Sequence, residues 1–175
     1  MARRDALHAL QARLAERLQA APSQVQAVGW LAVECAGHGL LFPLASAGEI
    51  VALPPIQPVP HTQAWFLGVT NLRGRLHGVV ELGGFLGLRV PMAVDSLPET
   101  ARLVALNAAH GSQAALLVDR LAGLRSAGSL QALPDVAGER PAFAGTCWRD
   151  AAGRAWQEID LTALAAHPRF LGVAR

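Results

Sequence analysis

From Val28 onward the chain is built of short apolar runs, rich in Leu and Val, that are separated by Gly, Pro, Asn and Asp. None of these runs keeps the spacing of a long helix, and short runs bounded by turn residues are typical of β-strands. The pattern predicts strands at 28–34, 39–44, 49–53, 65–71, 75–82, 102–108, 113–119, 121–126, 143–149 and 154–160. So many short strands favour a barrel or a sandwich, and the predicted fold class is all-β.

A weak internal repeat runs through this pattern. The segments 30–53 and 102–125 each contain a strand, a short polar turn, a second strand and a third β-like piece. The turns are Ala36 to Gly39 in the first segment and Asn107 to Gly111 in the second, and both are typical of hairpins. The repeat predicts two similar lobes within one domain.

Proline marks the boundary between the predicted lobes. Pro54, Pro55, Pro58 and Pro60 lie within one short stretch, where they disfavour helix and ladder pairing, so an extended surface crossing is predicted. A second irregular stretch, 134–141, is predicted to be a loop before the last two strands.

Helix is expected at the two ends of the chain. Leu7, Leu10, Leu14 and Leu18 recur at spacings of three and four, which predicts an amphipathic helix over 3–21 that Pro22 ends. Such a helix either caps the core or recruits a partner or a second copy. Residues 1–24 are therefore assigned to a helix and linker, and 25–175 to one domain. Near the other end, Asp160 opens a short helix that Pro168 is expected to stop.

Composition excludes several classes of function. All 15 basic residues are Arg, so no lysine is present for a phosphate loop or a Schiff base. The net charge of +2 is spread along the chain, which favours nucleic-acid binding only weakly. Cys35 and Cys147 are far apart and have neither zinc-site spacing nor a disulfide framework, so a reduced cytoplasmic setting is expected. No stretch approaches the ~20 apolar residues of a membrane span.

The sequence contains a few residues that could in principle serve catalysis, but each pattern favours a structural role. Cys147 with His110 or His167 offers a nucleophile and a base, but its apolar strand pattern favours a buried, inert thiol. Glu158 and Asp160 alternate on a predicted strand as a carboxylate pair would, although solvated edge charges are the commoner case. The six histidines are scattered singly, and three glycines lack the context of a phosphate loop: Gly83, Gly84 and Gly87. No catalytic, cofactor-binding or metal-binding residue is predicted.

The most distinctive segment runs from Trp65 to Leu76 and contains the turn Asn71-Leu72-Arg73-Gly74. Two strands must meet there, Gly74 permits a positive φ, and the Arg73 guanidinium requires an acceptor. Glu49 is the only carboxylate between Glu34 and Glu81, so an ion pair between Glu49 and a partly desolvated Arg73 is predicted.

This segment resembles the signature hairpin of CheW-like domains, the bacterial chemotaxis coupling proteins. The similarity extends over roughly 28–165, and the segments that carry it are 45–50, 60–65, 68–74, 79–82 and 116–121. Glu81 stands where the family usually has Asp, and Gly83-Gly84 replaces a commonly charged position. The terminal segments resemble those of the twitching-motility members of the family.

The resemblance implies a fold, partners and a binding surface. The fold would be two interleaved five-stranded SH3-like barrels around a shared core. The protein would be a cytoplasmic, non-enzymatic scaffold, without cofactor or direct membrane insertion. It would couple a transmembrane methyl-accepting chemoreceptor to a CheA-like histidine kinase, in chemotaxis or type IV pilus twitching motility. The implied partner-binding residues are Ala47, Glu49, Ile50, Gly68, Asn71, Leu72, Arg73 and Gly74.

A small barrel that binds nucleic acid is the alternative from a different class. It requires aromatic rings beside basic residues, and only Trp148 with Arg149, and Trp156 with Arg154, meet that requirement.

Overall fold

The computed structural model describes residues 28–134 and 138–175, in which strands predominate. The strands are β1 Val28–Cys35, β2 His38–Pro43, β3 Ala47–Ala52, β4 Phe66–Leu72, β5 Arg75–Glu81, β6 Arg102–Leu106, β7 Ala114–Val118, β8 Arg120–Ser126, β9 Leu130–Ala132, β10 Ala144–Asp150 and β11 Ala155–Ile159. The α-helices are short: α1 Leu82–Phe85, α2 Leu161–Ala166 and α3 Pro168–Leu171. Single 3-10 turns form at Val94–Ser96, Ala108–His110 and Ala127–Ser129. Within the described residues, no helix has the length and apolar character needed to cross a bilayer.

The strands form two sheets that exchange segments. One sheet has the order β8-β1-β2-β11-β10-β9, and the other has the order β3-β6-β7-β5-β4. The hairpins β1–β2 and β6–β7 are equivalent, but the strand that follows each hairpin pairs with the other hairpin: β3 with β6, and β8 with β1. This exchange confirms both the predicted internal repeat and the predicted interleaving of two lobes.

In each sheet the two edge strands are connected, in one case by a short turn and in the other by an ion pair. In the six-stranded sheet, only the turn Ala127–Ser129 separates the edge strands β8 and β9 along the chain. In the five-stranded sheet, the side chain of Glu49 on the edge strand β3 reaches Arg73, which directly follows the edge strand β4. These two connections bring the edges of each sheet close together, as the predicted barrels require.

The largest hydrophobic cluster contains buried residues of both sheets. Leu31, Phe42 and Ile159 come from the six-stranded sheet, whereas Val104 and Leu116 come from the five-stranded sheet. Each sheet also has a smaller cluster of its own, one around Leu103 and Leu117 and the other around Leu41 and Trp156. The predicted shared core is thus confirmed, and it joins the two lobes into one unit.

Two hairpin turns follow from residues that tolerate a left-handed backbone. Ala36 and Gly37 have φ of 50° and 78°, and Arg73 and Gly74 have φ of 49° and 81°. Two consecutive positive φ values between paired strands match the twist of a two-residue hairpin. The Asn71 Oδ1 atom accepts a hydrogen bond of 2.7 Å from the Gly74 N–H and closes the second turn.

Several details differ from the sequence predictions. All ten predicted strands are present, but β9 was missed because three residues are too short to show a period. The strand predicted over 75–82 ends at Glu81, whose carboxylate caps α1. The proline-rich crossing does pair once, since Gln57 exchanges two backbone hydrogen bonds with Val69. Pro168 does not end the helical region but begins α3, because proline is tolerated in the first turn. The helix predicted over 3–21 lies outside the described residues.

Candidate functional site

The predicted ion pair between Glu49 and Arg73 is present. Arg73 Nε lies 2.9 Å from Glu49 Oε1, and this ion pair joins the edge strand β3 to the β4–β5 hairpin. The side chain of Arg73 is 81% exposed and that of Glu49 is 31% exposed. The expectation of a partly desolvated guanidinium was wrong, because the left-handed turn projects Arg73 into solvent.

A shallow cleft of about 360 Å³ lies beside this ion pair. Its walls come from β3, the β4–β5 hairpin and the end of β6, and they include Glu49, Leu72, Arg73 and His77. Ile50 is exposed on β3, and Asn71 and Gly74 are exposed in the hairpin turn. We call this set of exposed and half-buried residues the hairpin rim: Ala47, Glu49, Ile50, Asn71, Arg73 and Gly74.

Two residues predicted to face a partner lie inside the fold. Leu72 is buried in the cluster of the five-stranded sheet. Gly68 is buried and has φ of 135°, and a Cβ placed on it would lie 2.1 Å from the Gln57 carbonyl oxygen. Gly68 therefore lets the proline-rich crossing approach β4, whereas Leu72 anchors the hairpin. Both residues are buried, and their role in partner binding stays a prediction.

A second ionic cluster connects the two sheets, and sequence reasoning missed it. Arg89 donates to both oxygens of Asp119, at 2.6 and 2.8 Å, and to Glu81 Oε1 at 2.6 Å. Glu81 is fully buried and also accepts hydrogen bonds from the N–H groups of Gly83 and Gly84. Asp119 accepts in addition from the Ala36 N–H in the β1–β2 turn. Glu81 ends a strand of one sheet and Ala36 belongs to a turn of the other, so Arg89 holds both sheets.

Comparison with known proteins places this architecture in a family. The model of the CheW-like domain matches residues 29–169.

The chain belongs to the CheW-like domain family.

One relative and one solved structure are similar to this chain over most of their length. Protein PilI of Pseudomonas aeruginosa is 30% identical over 166 residues, which are 93% of this chain and 89% of that protein. The crystal structure of scaffolding protein TtCheW from Thermoanaerobacter tengcongensis superposes with a TM-score of 0.60 at 19% identity, over 75% of this chain and 87% of that one. The second match supports the CheW-like fold alone.

The tryptophans of this CheW-like chain are used within the fold. Trp156 is only 2% exposed, and the Arg154 guanidinium carbon lies 4.7 Å from its ring centroid. The indole N–H groups of Trp30 and Trp148 both donate to the Glu158 carboxylate, at 2.9 and 3.0 Å. Glu158 is thus a structural acceptor rather than a solvated edge charge. Base stacking needs open ring faces, so this geometry disfavours the nucleic-acid alternative.

The residues considered for catalysis have structural partners. Cys147 is half-buried rather than buried, and its thiol donates to Gln157 Oε1 at 3.0 Å. Asp160 caps α2 by accepting from the N–H groups of Thr162 and Ala163. Burial, assisted by the Asp119 charge, raises the pKa of the Cys35 thiol to about 12, which makes it a poor nucleophile. Among the described residues, no group of three His, Cys, Asp or Glu side chains is arranged to hold a metal ion.

Proposed function

We propose that this chain is a non-enzymatic cytoplasmic scaffold that couples a methyl-accepting chemoreceptor to a CheA-like histidine kinase. We assign it to the twitching-motility branch of chemotaxis-like signalling, on the basis of its similarity to Protein PilI over nearly the whole chain. Membership of the CheW-like domain family supports a binding function.

The exposed ion pair between Glu49 and Arg73 is the observation that carries the proposed binding surface. An exposed pair of this kind stabilises a protein by only about 0 to 1 kcal/mol, so the fold has little need of it. Arg73 nevertheless occupies a left-handed backbone conformation, which a non-glycine residue adopts at a cost of about 1 to 2 kcal/mol. The hairpin turn explains this backbone conformation, which Ala36 shares, but it does not explain the choice of arginine. A charged, exposed side chain at the tip of a well-anchored hairpin is better explained by a contact that it makes with another protein.

Within the hairpin rim, the residues have different roles in the proposal. Arg73 offers the nitrogen atoms that Glu49 leaves unused to a carboxylate or a carbonyl group of the partner. Ile50, the residue after Glu49 on β3, supplies apolar contact area, since the residue is 40% exposed. Asn71 fixes the turn through its bond to Gly74, so it positions Arg73 rather than contacting the partner.

Binding measurements with charge-reversed variants test this surface. We expect Arg73→Glu to weaken binding of the purified kinase or of the receptor's cytoplasmic domain about tenfold or more, which corresponds to about 1.4 kcal/mol. Isothermal titration with each partner separately measures the effect. Arg149→Glu is the matched control, because it reverses the same charge at an exposed position on the other sheet and should leave the affinity within a factor of about two.

The double variant Glu49→Arg/Arg73→Glu separates two ways in which Arg73 could act. If the ion pair only orients the hairpin, the swapped pair restores binding; if Arg73 contacts the partner directly, it does not. Equal affinity of the parent and Arg73→Glu for both partners would contradict the proposed surface. Failure of the parent chain to bind either partner would contradict the proposed function.

A further inference from the structure

The shallow cleft beside the hairpin rim combines positively charged side chains with buried apolar ones. Leu72 and Leu106 line the cleft and are buried. Arg73 and Arg75 line it as well, and Glu49 is the only carboxylate among its described lining residues. Two guanidinium groups therefore stand against one carboxylate, so the cleft carries an excess of positive charge.

The two arginines have donors available for an acceptor outside the fold. Arg75 is exposed at the start of β5, and its guanidinium forms no hydrogen bond or ion pair with the rest of the described chain. Arg73 Nε faces Glu49 Oε1 at 2.9 Å, and the two terminal nitrogens of Arg73 remain for a further acceptor. The nearby His77 is directed to the backbone, because its Nδ1 lies 3.1 Å from the Arg75 carbonyl oxygen and donates to it.

The other sheet contains an equivalent arginine that is neutralised within the fold. β5 and β11 are each the second strand of an antiparallel hairpin, and they pair in parallel with β7 and β2. Arg154 directly precedes β11, much as Arg75 begins β5, but Arg154 donates to Glu34. The same strand position thus has an internal acceptor in one lobe and none among the described residues in the other. The fold itself does not require an arginine without a partner here.

We propose that this cleft binds a carboxylate-bearing segment of a partner protein, and that Arg75 is a second binding residue beside Arg73. The inference deepens the proposed binding surface and rests on it. Arg75 was not among the predicted partner-binding residues, because the hairpin signature that implied them ends at Gly74.

The chemistry of the cleft favours a protein carboxylate over a nucleic acid. A guanidinium group binds a carboxylate through two parallel N–H···O hydrogen bonds, and low-dielectric walls such as Leu72 and Leu106 focus the field of nearby cations. No Trp, Phe or Tyr side chain is among the described lining residues, so base stacking has no platform here. A phosphate backbone also needs more basic groups than two arginines to be held at physiological salt.

A titration of the isotope-labelled full chain with an acidic peptide tests the cleft without any kinase or receptor. The probe is a blocked peptide of alternating glutamate and alanine, and its control has glutamine in place of glutamate. We expect the glutamate peptide to shift the amide NMR signals of 71–77 and 105–108 most strongly, and the glutamine peptide to leave them nearly unchanged. Equal shifts with both peptides would overturn the proposal. So would shifts that are largest on the six-stranded sheet, or stronger binding of a short oligothymidylate to the same cleft.

Two substitutions of Arg75 test its role as a binding residue. We expect Arg75→Gln to weaken binding of the glutamate peptide about threefold and Arg75→Glu about tenfold, because the first removes the charge and the second reverses it. Arg149→Glu is the matched control, since Arg149 is equally exposed but lies on the other sheet, and it should change the affinity by no more than about twofold. The difference between Arg75→Glu and the parent should shrink as salt is raised. Equal effects of Arg75→Glu and Arg149→Glu would overturn the proposal. Far-UV circular dichroism establishes that each variant is folded.

The same variants, titrated with the purified kinase and with the receptor's cytoplasmic domain, separate this inference from the proposed function. If the parent binds a partner and Arg75→Glu weakens that binding about tenfold, the partner's carboxylates occupy the cleft. If the parent binds and Arg75→Glu binds equally well, the inference is wrong and the proposed function stands. If the parent binds neither partner, the proposed function is wrong, and the peptide titration still decides whether the cleft selects carboxylates.

Discussion

At the scale of single residues, the half-buried carboxylate of Glu34 accepts hydrogen bonds from two arginines that the sequence did not indicate as its partners. Arg120 donates to its two oxygens at 2.6 and 2.8 Å, and Arg154 donates to Oε1. Burial raises the pKa of the Glu34 carboxyl, but the hydrogen bonds and charges of Arg154 and Arg120 outweigh burial and leave this pKa below its ordinary value. Glu34 therefore links β1 to the start of β8 and to the residue before β11 only while it is ionised.

The lowered pKa of Glu34 predicts an acid-dependent loss of stability. Since the folded-state pKa lies below the unfolded value of about 4.3, the stabilisation is fully present above the unfolded pKa and is lost as the pH falls through the folded pKa. We expect Glu34→Gln to be less stable than the parent at pH 7 and to show a flatter dependence of the urea midpoint on pH between about 5 and 3. A parallel pH dependence of the two proteins would contradict this role for Glu34.

The residue-scale predictions succeeded where the chain offered few choices. Glu49 was the only carboxylate available to Arg73 within the first lobe, so the pair could be predicted although its exposure could not. Arg89 gave no such signal, because its acceptors Glu81 and Asp119 converge only after β5 and β7 pair in parallel. Local sequence spacing does not encode such a meeting of distant segments.

At the scale of elements, the β4–β5 hairpin contains two glycines with different tasks. Gly74 has φ of 81° in the turn, and a Cβ there would meet nothing within 4 Å. Gly68 has φ of 135° within β4, and a Cβ there would collide with the Gln57 carbonyl group. The first glycine satisfies the backbone of a turn, as its place after Asn71-Leu72-Arg73 predicted. The second glycine, Gly68, lets the proline-rich crossing pack against β4. The sequence does not indicate this contact, because prolines predict a crossing that pairs with no strand.

Alanine substitutions should distinguish these two tasks. We expect Gly74→Ala to lower the free energy of unfolding by about 1 kcal/mol, which is the cost of a left-handed alanine in open space. Gly68→Ala should lower it by about 3 kcal/mol or more, because strain is combined with displacement of the crossing and loss of the Gln57–Val69 pairing. Urea unfolding of both variants provides the measurement. Equal losses would show that the crossing yields freely at Gly68.

At the scale of the whole molecule, the exchange of β3 and β8 means that neither sheet is made from one half of the chain. The six-stranded sheet takes β1 and β2 from the first half of the chain and β8 to β11 from the second half. The five-stranded sheet takes β3 to β5 from the first half and β6 and β7 from the second half. The strands and the repeat could be read from local pattern. The exchange of strands could be predicted only from the family resemblance. Two equivalent hairpins, each followed by a third strand, would fit two separate lobes equally well.

Arg89 should govern the stability of this interleaved unit. Arg89→Ala removes the cation from the fully buried Glu81 carboxylate and the two-point contact with Asp119, so we expect the free energy of unfolding to fall by about 3 to 5 kcal/mol. Urea unfolding followed by tryptophan fluorescence and by far-UV circular dichroism measures the loss, and both signals should still change in one transition because the lobes share a core.

Two further variants separate loss of the Arg89 contact from loss of arginine in general. Arg75→Ala, on the exposed hairpin, should change stability by no more than about 0.5 kcal/mol. Arg89→Met/Glu81→Gln should be more stable than the sum of its single changes implies, because it removes the buried charge together with its partner. An Arg89→Ala variant within about 1 kcal/mol of the parent would mean that the Gly83 and Gly84 N–H groups alone satisfy Glu81. In that case the two sheets would be held together by their shared apolar core without the ionic cluster.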